Sequence, residues 1–128
     1  MPFASSLAAL MLTCKDLEAT VRVYRAIGVD LKEARHGGPL HYTASLGGVH
    51  LALHAHDGVV RAAQSGTQLA LLVNDLEGAL NAARAVGAPV LQAPAARPFG
   101  VSAVVEDPDG RRLELVAMRV EMTGPMPR

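Results

Sequence analysis

Three of the five histidines crowd into ten residues, GGVHLALHAH (47–56). Imidazole is the commonest metal ligand and the one side chain whose ordinary pKa lies near neutrality. His50, His54 and His56 therefore pose the first chemical question. In an extended chain alternate side chains share a face. His50 and His54 then share one but stand about 13 Å apart, at ~3.3 Å per residue. No single ion bound at about 2.1 Å spans that gap. A closer pairing lies across the Gly47-Gly48 turn, where His41 faces His54. Those two could share a divalent ion, but no third ligand accompanies them. The other reading is polar lining of a wet cleft, hydrogen-bonding to a ligand. His36 and His56 fall near loops and read as solvated.

The second such stretch is RRLELV (111–116). Arg112 and Glu114 are two apart, on one face of a strand. They could form an ion pair that merely satisfies both. Alternatively, Arg112 anchors an anionic ligand while Glu114 accepts a hydrogen bond or acts as a base. Arg97, ahead of Pro98-Phe99, stands where it could rim the same site. Cys14 is the only cysteine, so no intrachain disulfide forms. No activating base stands beside it, and it reads as a buried inert thiol. Met11 either touches a ligand or fills space. The glycine-rich pieces lack phosphate-loop spacing, and no Ser-His-Asp arrangement follows from the spacing.

Composition bounds what such groups can serve. The chain has 128 residues, half of them hydrophobic, which suits one domain with a real core rather than a disordered chain. Twelve basic residues balance twelve acidic ones, and there is no Trp. That argues against nucleic acid as a partner. No apolar run approaches the ~18 residues that cross a bilayer, so no membrane association is expected. The opening MPFASSLAALMLTC lacks a basic n-region and a small-x-small cleavage site, and is better read as a strand. A cytoplasmic location is the expectation.

The elements that must position these groups come as a repeat. DLEATVRVYRAIG (16–28) and DLEGALNAARAVG (75–87) match in register, 59 residues apart. Each opens on an Asp suited to an N-cap and closes on a Gly suited to C′. Each is a helix of about three turns. An apolar, strand-length run precedes each helix, at 7–14 and 67–73. Short segments follow, VDL (29–31) and APVL (88–91). Then each half has a hairpin. One joins 40–46 to 49–54 through Gly47-Gly48, and the other joins 101–106 to 111–117 through Asp107-Pro108-Asp109-Gly110. The chain is thus α+β, with two β-α-β-β-β modules forming a curled mixed sheet around a cleft. It reads as a single domain over 1–128: module one about 5–56, a linker about 57–65, module two about 66–118, and a loose tail 119–128.

Strand alternation sorts the faces. A two-residue first turn pairs Leu46 with Val49, Ser45 with His50, Ala44 with Leu51, Thr43 with Ala52, Tyr42 with Leu53 and His41 with His54. Leu46, Val49, Ala44, Leu51, Tyr42 and Leu53 form the core face. Ser45, His50, Thr43, Ala52, His41 and His54 face the cleft. In the second hairpin Leu113 and Leu115 go to the core; Val101, Ala103, Val105, Arg112, Glu114 and Val116 go to the cleft. In the opening strands Leu10, Leu12, Leu69 and Leu71 take the core, leaving Ala9, Met11, Thr13, Gln68, Ala70 and Leu72 to the cleft.

The duplicated pattern, the two strand-DLE-helix units and RPFGVSAVVEDPDGRRLELV (97–116) resemble the vicinal oxygen chelate superfamily. That group includes glyoxalase I, extradiol dioxygenases, methylmalonyl-CoA epimerase, and fosfomycin- and bleomycin-resistance proteins. The resemblance covers roughly 5–118; Phe99 and Arg111 stand where relatives often carry Trp and Asn. It implies four metal-ligand positions: one in each first strand, seven residues before the capping Asp, and one at the centre of each Leu-x-Leu of the last strands. Here these are Ala9, Gln68, Ala52 and Glu114. Alanine binds no metal, and a divalent ion in such a site usually takes three or more protein ligands.

The sequence therefore reads as a metal-independent small-molecule binding protein, a homodimer for which ligand sequestration is a fitting role. His41, His50, His54, Gln68, Arg112 and Glu114 are the ligand-binding candidates, with no cofactor and a leaning away from enzymatic activity. The alternative is a metal-dependent lyase, isomerase or dioxygenase with an atypical set. Gln68 and Glu114 would then hold a divalent metal, and Glu114 would be catalytic. A third reading is a dimer module with an incidental cleft.

Overall fold

The two Asp-Leu-Glu segments start helices because an aspartate side chain can accept the amide hydrogens that the first turn leaves unpaired. In the structure, a computed structural model describing residues 3–35, 37–55 and 66–118, both do so. Asp16 Oδ1 accepts from Ala19 N at 3.0 Å and starts α1 (Leu17–Ala26). Asp75 Oδ1 accepts from Gly78 N at 2.9 Å and starts α2 (Leu76–Ala85). Gly28 and Gly87 follow with φ of 103° and 86°, which ends each helix in the left-handed region.

Around the helices run β1 (Ala9–Cys14), β2 (Lys32–Ala34), β3 (His41–Leu46), β4 (Val49–Ala55), β5 (Gln68–Leu72), β6 (Val90–Arg97), β7 (Gly100–Glu106) and β8 (Arg112–Met118). They form two four-stranded sheets, ordered β1-β4-β3-β2 and β5-β8-β7-β6. In each, the first strand lies parallel to the last and the remaining pairs are antiparallel. The fold is α+β with two β-α-β-β-β modules, as the sequence implies, and the sheets are not closed. No helix among the described residues is long and apolar enough to cross a membrane. The expected linker 57–65, the tail 119–128, His36 and His56 lie outside the described residues.

One core serves both modules. Val21, Val23 and Tyr24 of α1 and Leu80 and Ala83 of α2 join Leu51, Leu53, Leu113 and Leu115 from the sheets in a single buried cluster. The helices cover one face of each sheet, and the opposite faces carry the chemistry.

Hairpin one has all six pairs expected from a two-residue turn, from Leu46↔Val49 to His41↔His54. Gly47 and Gly48 both have positive φ, 55° and 87°, as a primed turn requires. Two expectations are corrected. The third segment of module one is not 29–31 but Lys32–Ala34. Val29 and Leu31 are instead spent on the core, and Val29 N closes the helix end on Tyr24 O at 2.9 Å.

The second correction concerns β7. Its turn to β8 is five residues long, because Glu106 pairs with Arg112 and Arg111 stays in the loop. Asp107 imposes this: its N–H donates to Arg111 O at 2.9 Å, and its Oδ1 accepts from Asp109 N and Arg111 N at 2.9 and 3.0 Å. The extra residue moves β7 by one, and one residue flips every side chain. Ala103 and Val105 therefore lie in the core, and Val101 shares their face. Ser102 and Val104 take the open face, paired with Val116 and Glu114.

The same loop ties the modules together. Arg111 is 1% exposed, and its guanidinium meets Asp107 Oδ2 at 3.2 Å and the carbonyl oxygen of Thr13 in β1. Tyr24 of α1 donates to Asp107 Oδ2 at 2.8 Å, and Lys15 N donates to Asp109 Oδ1 at 3.2 Å. Burial, then the Asp107 carboxylate, push the Tyr24 phenol well above its ordinary range, so it stays a donor. Removing one partner of a buried ion pair strands the other charge, at about 3–5 kcal/mol. Arg111→Met should lower the unfolding free energy by about that amount. Urea denaturation followed by circular dichroism measures it, and a loss under about 1 kcal/mol would contradict a structural role.

Candidate functional site

The open faces of the two sheets differ in chemistry. On sheet one, β1 gives Ala9, Met11 and Thr13, in register with His50, Ala52 and His54 of β4. Ala52 is 2% exposed, so its neighbours close over the small side chain. His41 and His54 lie side by side as the register requires. Their rings stack with centroids 4.5 Å apart and planes 12° from parallel. His41 Nδ1 lies 3.3 Å from the carbonyl oxygen of Pro39. Beside the pair is a cavity of about 220 Å³ lined by Gly38, Pro39, Leu40 and Ala55 as well as the two imidazoles. His50 is exposed, at the far end of β4 near the turn. The structure thus brings together two of the three histidine candidates and leaves His50 apart.

On sheet two, Gln68 of β5 and Glu114 of β8 meet: Gln68 Nε2 donates to Glu114 Oε1 at 3.3 Å. Glu114 is 6% exposed. Around it the open face is well covered, since Ser102, Val104 and Val116 are all buried as well. β6 lies beside β7 with two register shifts, which bend a strand locally. It brings Gln92 and Arg97 to this face. Arg97 Nε lies 3.5 Å from Ser102 Oγ, and its Nη2 lies 3.4 Å from Gln92 Oε1. Arg112 stands in register with Gln68 and Glu106, two residues before Glu114. Among the described residues it forms no ion pair with Glu114; the recorded bridges join Lys32 to Asp30 and Arg111 to Asp107 and Asp109. A mutual ion pair is therefore not what holds the two side chains in place.

The sequence reading passed over Ser102, Val104 and Gln92, and gave Arg97 only a place at the rim. A signal was present. In VSAVVE (101–106) the odd positions are all apolar, while Ser102 and Glu106 share the even set. Polarity alone would have sent the odd set to the core.

Two further cavities, about 430 and 300 Å³, lie elsewhere. Both are lined by Ile27, Gly28, Leu72 and Val73, where the end of α1 meets the end of β5. None of the six candidate residues lines either. Their polar groups do not converge, so we place the site on the open faces and treat these cavities as a seam between modules. Cys14 is fully buried, and burial pushes its thiol pKa up, which makes it unreactive.

Family comparison follows this geometry. The model of the glyoxalase/bleomycin resistance protein/dioxygenase superfamily matches residues 6–115. The chain belongs to that superfamily. A glyoxylase/bleomycin resistance protein/dioxygenase domain from Frankia sp. EAN1pec is 26% identical, with a TM-score of 0.72 over 91% of this chain and 100% of that one. A protein from Agrobacterium tumefaciens is also 26% identical, with a TM-score of 0.68 over 91% and 99%. A glyoxalase-related enzyme from Fulvimarina pelagi shares the fold at 24% identity, with a TM-score of 0.73 over 94% of each chain. No curated protein matches the chain.

The superfamily resemblance implies a metal, and the residues present do not fit one. Two of the four implied positions are Ala9 and Ala52. At the other two, Gln68 spends its amide on Glu114. Among the described residues, no group of three or more His, Cys, Asp or Glu side chains is placed to hold an ion.

The histidine pair has a pH signature. Burial first, and then the neighbouring His41, lower the His54 pKa from its ordinary 6.5. The folded state therefore favours neutral His54, and the unfolded chain takes up its proton at higher pH. The resulting stability is fully present above 6.5 and is lost as pH falls through the folded-state pKa. Thermal melts from about pH 7.5 to about pH 5 should show Tm falling in the wild type and falling less in His54→Asn. Identical slopes would contradict the assignment.

Proposed function

We propose that this chain is a metal-independent small-molecule binding protein of the glyoxalase/bleomycin-resistance type, suited to sequestering its ligand. The observation that carries the reading is the pairing at the implied metal positions. Ala9 and Ala52 offer no donor, while Gln68 and Glu114 satisfy one another at 3.3 Å. A face built this way suits organic ligands: a few fixed polar groups among apolar ones. Glu114, Gln68 and Arg112 supply the polar contacts on sheet two; His41, His54 and His50 supply them on sheet one. The Frankia and Agrobacterium neighbours support the family and fold behind this reading.

The protein works as a homodimer. β1 and β5 are edge strands, and Met11 and Leu72 on their open faces are 68% and 66% exposed. Large apolar side chains so placed are what a second copy would cover. The single buried cysteine suits a reducing, cytoplasmic setting.

Two observations favour a second reading, a metal-dependent lyase, isomerase or dioxygenase. Glu114 is a buried carboxylate at an implied ligand position, and the Fulvimarina neighbour is described as a glyoxalase-related enzyme.

Two measurements test the proposal. Dialysis against EDTA should leave Tm unchanged. A drop that Zn²⁺, Ni²⁺, Mn²⁺ or Fe²⁺ reverses, and that Glu114→Ala abolishes, would favour the second reading. Sedimentation should show a dimer that dissociates at least about tenfold more readily in Met11→Glu/Leu72→Glu, since burying an unpaired charge is costly. A monomeric wild type would remove the dimer from the proposal.

A further inference from the structure

We infer that the ligand of the sheet-two open face is an acid, a small molecule with a carboxylate, sulfonate or phosphate group, and that Arg112 selects it. This rests on the small-molecule reading above and narrows it.

The argument begins with two adjacent arginines. Arg111 has a structural role: it is buried, paired with Asp107, and bonded to the carbonyl of Thr13. Arg112 begins β8 and lies on the face shared with Glu114. Its register neighbours are Gln68 on one side and Glu106 on the other. Both carry acceptor oxygens, and Glu114 is two residues along. Yet among the described residues the Arg112 guanidinium has no hydrogen-bond or ion-pair partner, and its Nε is buried without an acceptor. Gln68 turns its amide to Glu114 instead.

A covered donor on a cation, left without an acceptor, is costly and rare. Arg111 Nε is buried without an acceptor too, but the rest of its guanidinium is held by Asp107 and Thr13; Arg112 has no such bonds, and the acid group of a ligand supplies them. The guanidinium fork presents paired N–H donors matched to oxyanions. The adjoining Glu114 carboxylate sets a second requirement. It repels a second anionic group and accepts from an O–H or N–H. Two residues of strand place this acceptor about 7 Å along from Arg112. The ligand class is therefore an acid with a hydrogen-bond donor at roughly that separation.

Two probes with a common apolar body isolate the anion. 8-Anilinonaphthalene-1-sulfonate carries a sulfonate and an N–H; N-phenyl-1-naphthylamine keeps the N–H and lacks the sulfonate. In fluorescence titrations of the full-length protein at low salt, the sulfonate should bind at least about tenfold tighter. Exposed apolar surface takes up both probes, so the ratio is the readout. Arg112→Gln should bring the ratio below about twofold by weakening sulfonate binding, with circular dichroism confirming that the variant is folded. Arg112→Lys should retain part of the preference, because it keeps a charge without the fork. Raising NaCl to about 0.5 M should reduce the ratio in the wild type only. Equal binding of both probes, or a preference that survives Arg112→Gln, overturns the anion assignment and leaves the small-molecule reading standing. If neither probe binds, the small-molecule reading is overturned and this inference with it.

Discussion

The buried contact between Asp107 and Arg111 is the constraint on which the rest of the molecule depends. Its value does not lie chiefly in stability, since desolvating two charges consumes most of what their attraction returns. It lies in what the contact forces. Asp107 gathers the amides of Asp109 and Arg111 and pairs with the Arg111 guanidinium. Arg111 is thereby held in the loop, and β7 meets β8 as Glu106↔Arg112. A loop one residue shorter would turn Ser102 and Val104 into the core and Ala103 and Val105 outward. The buried surroundings of Glu114 follow from this one loop. So does the seating of module two on module one, through Thr13, Lys15 and Tyr24.

The repeat makes a second comparison possible within the chain. The two helices keep the same caps and the same terminal glycines, but the two hairpin turns have diverged. The turn of module two is long enough to deliver Asp107, Asp109 and Arg111 to the end of β1 and the start of α1. The corresponding turn of module one is Gly47-Gly48, which has no side chains to deliver. Where it meets the end of β5, the seam holds a cavity of about 300 Å³, and one of about 430 Å³ lies beside it along the end of α1. One junction is filled by an ion network and the other is hollow. The open faces have diverged in parallel: small residues and imidazoles on sheet one, a carboxylate, amides and guanidinia on sheet two.

Features set by local chemistry were legible from the sequence. Asp16, Asp75, Gly28 and Gly87 mark their helices because capping needs only neighbouring residues. The register of hairpin one follows from a turn that admits only one geometry. β2 was misplaced because Val29 and Leu31 look like strand residues, while their side chains serve the core in an irregular connection. The face of β7 was misread because the length of its loop depends on a side chain, Asp107, reaching across to the backbone of Arg111. Gln68 and Glu114 were reachable through the family resemblance, which puts both at implied ligand positions; their contact is diagonal, since Gln68 stands in register with Arg112. The places of Gln92 and Arg97 were not: Pro94, which cannot donate to the ladder, marks the irregular stretch between Gln92 and Ala95 but not how far the register shifts.

The residues at the implied metal positions differ between the two modules. A carboxylate buried to the degree of Glu114 needs a donor, or it costs stability. In a metal-dependent relative the ion would meet that need. Here Gln68, at the partner position, brings an amide N–H in its place. The alanines at 9 and 52 make no such demand, and module one closes over Ala52 without a polar partner for it. The asymmetry is therefore self-consistent. On sheet two the polar side chains around Glu114 mostly find partners of their own. Arg112 is the exception on this face, since its guanidinium finds no partner among the described residues.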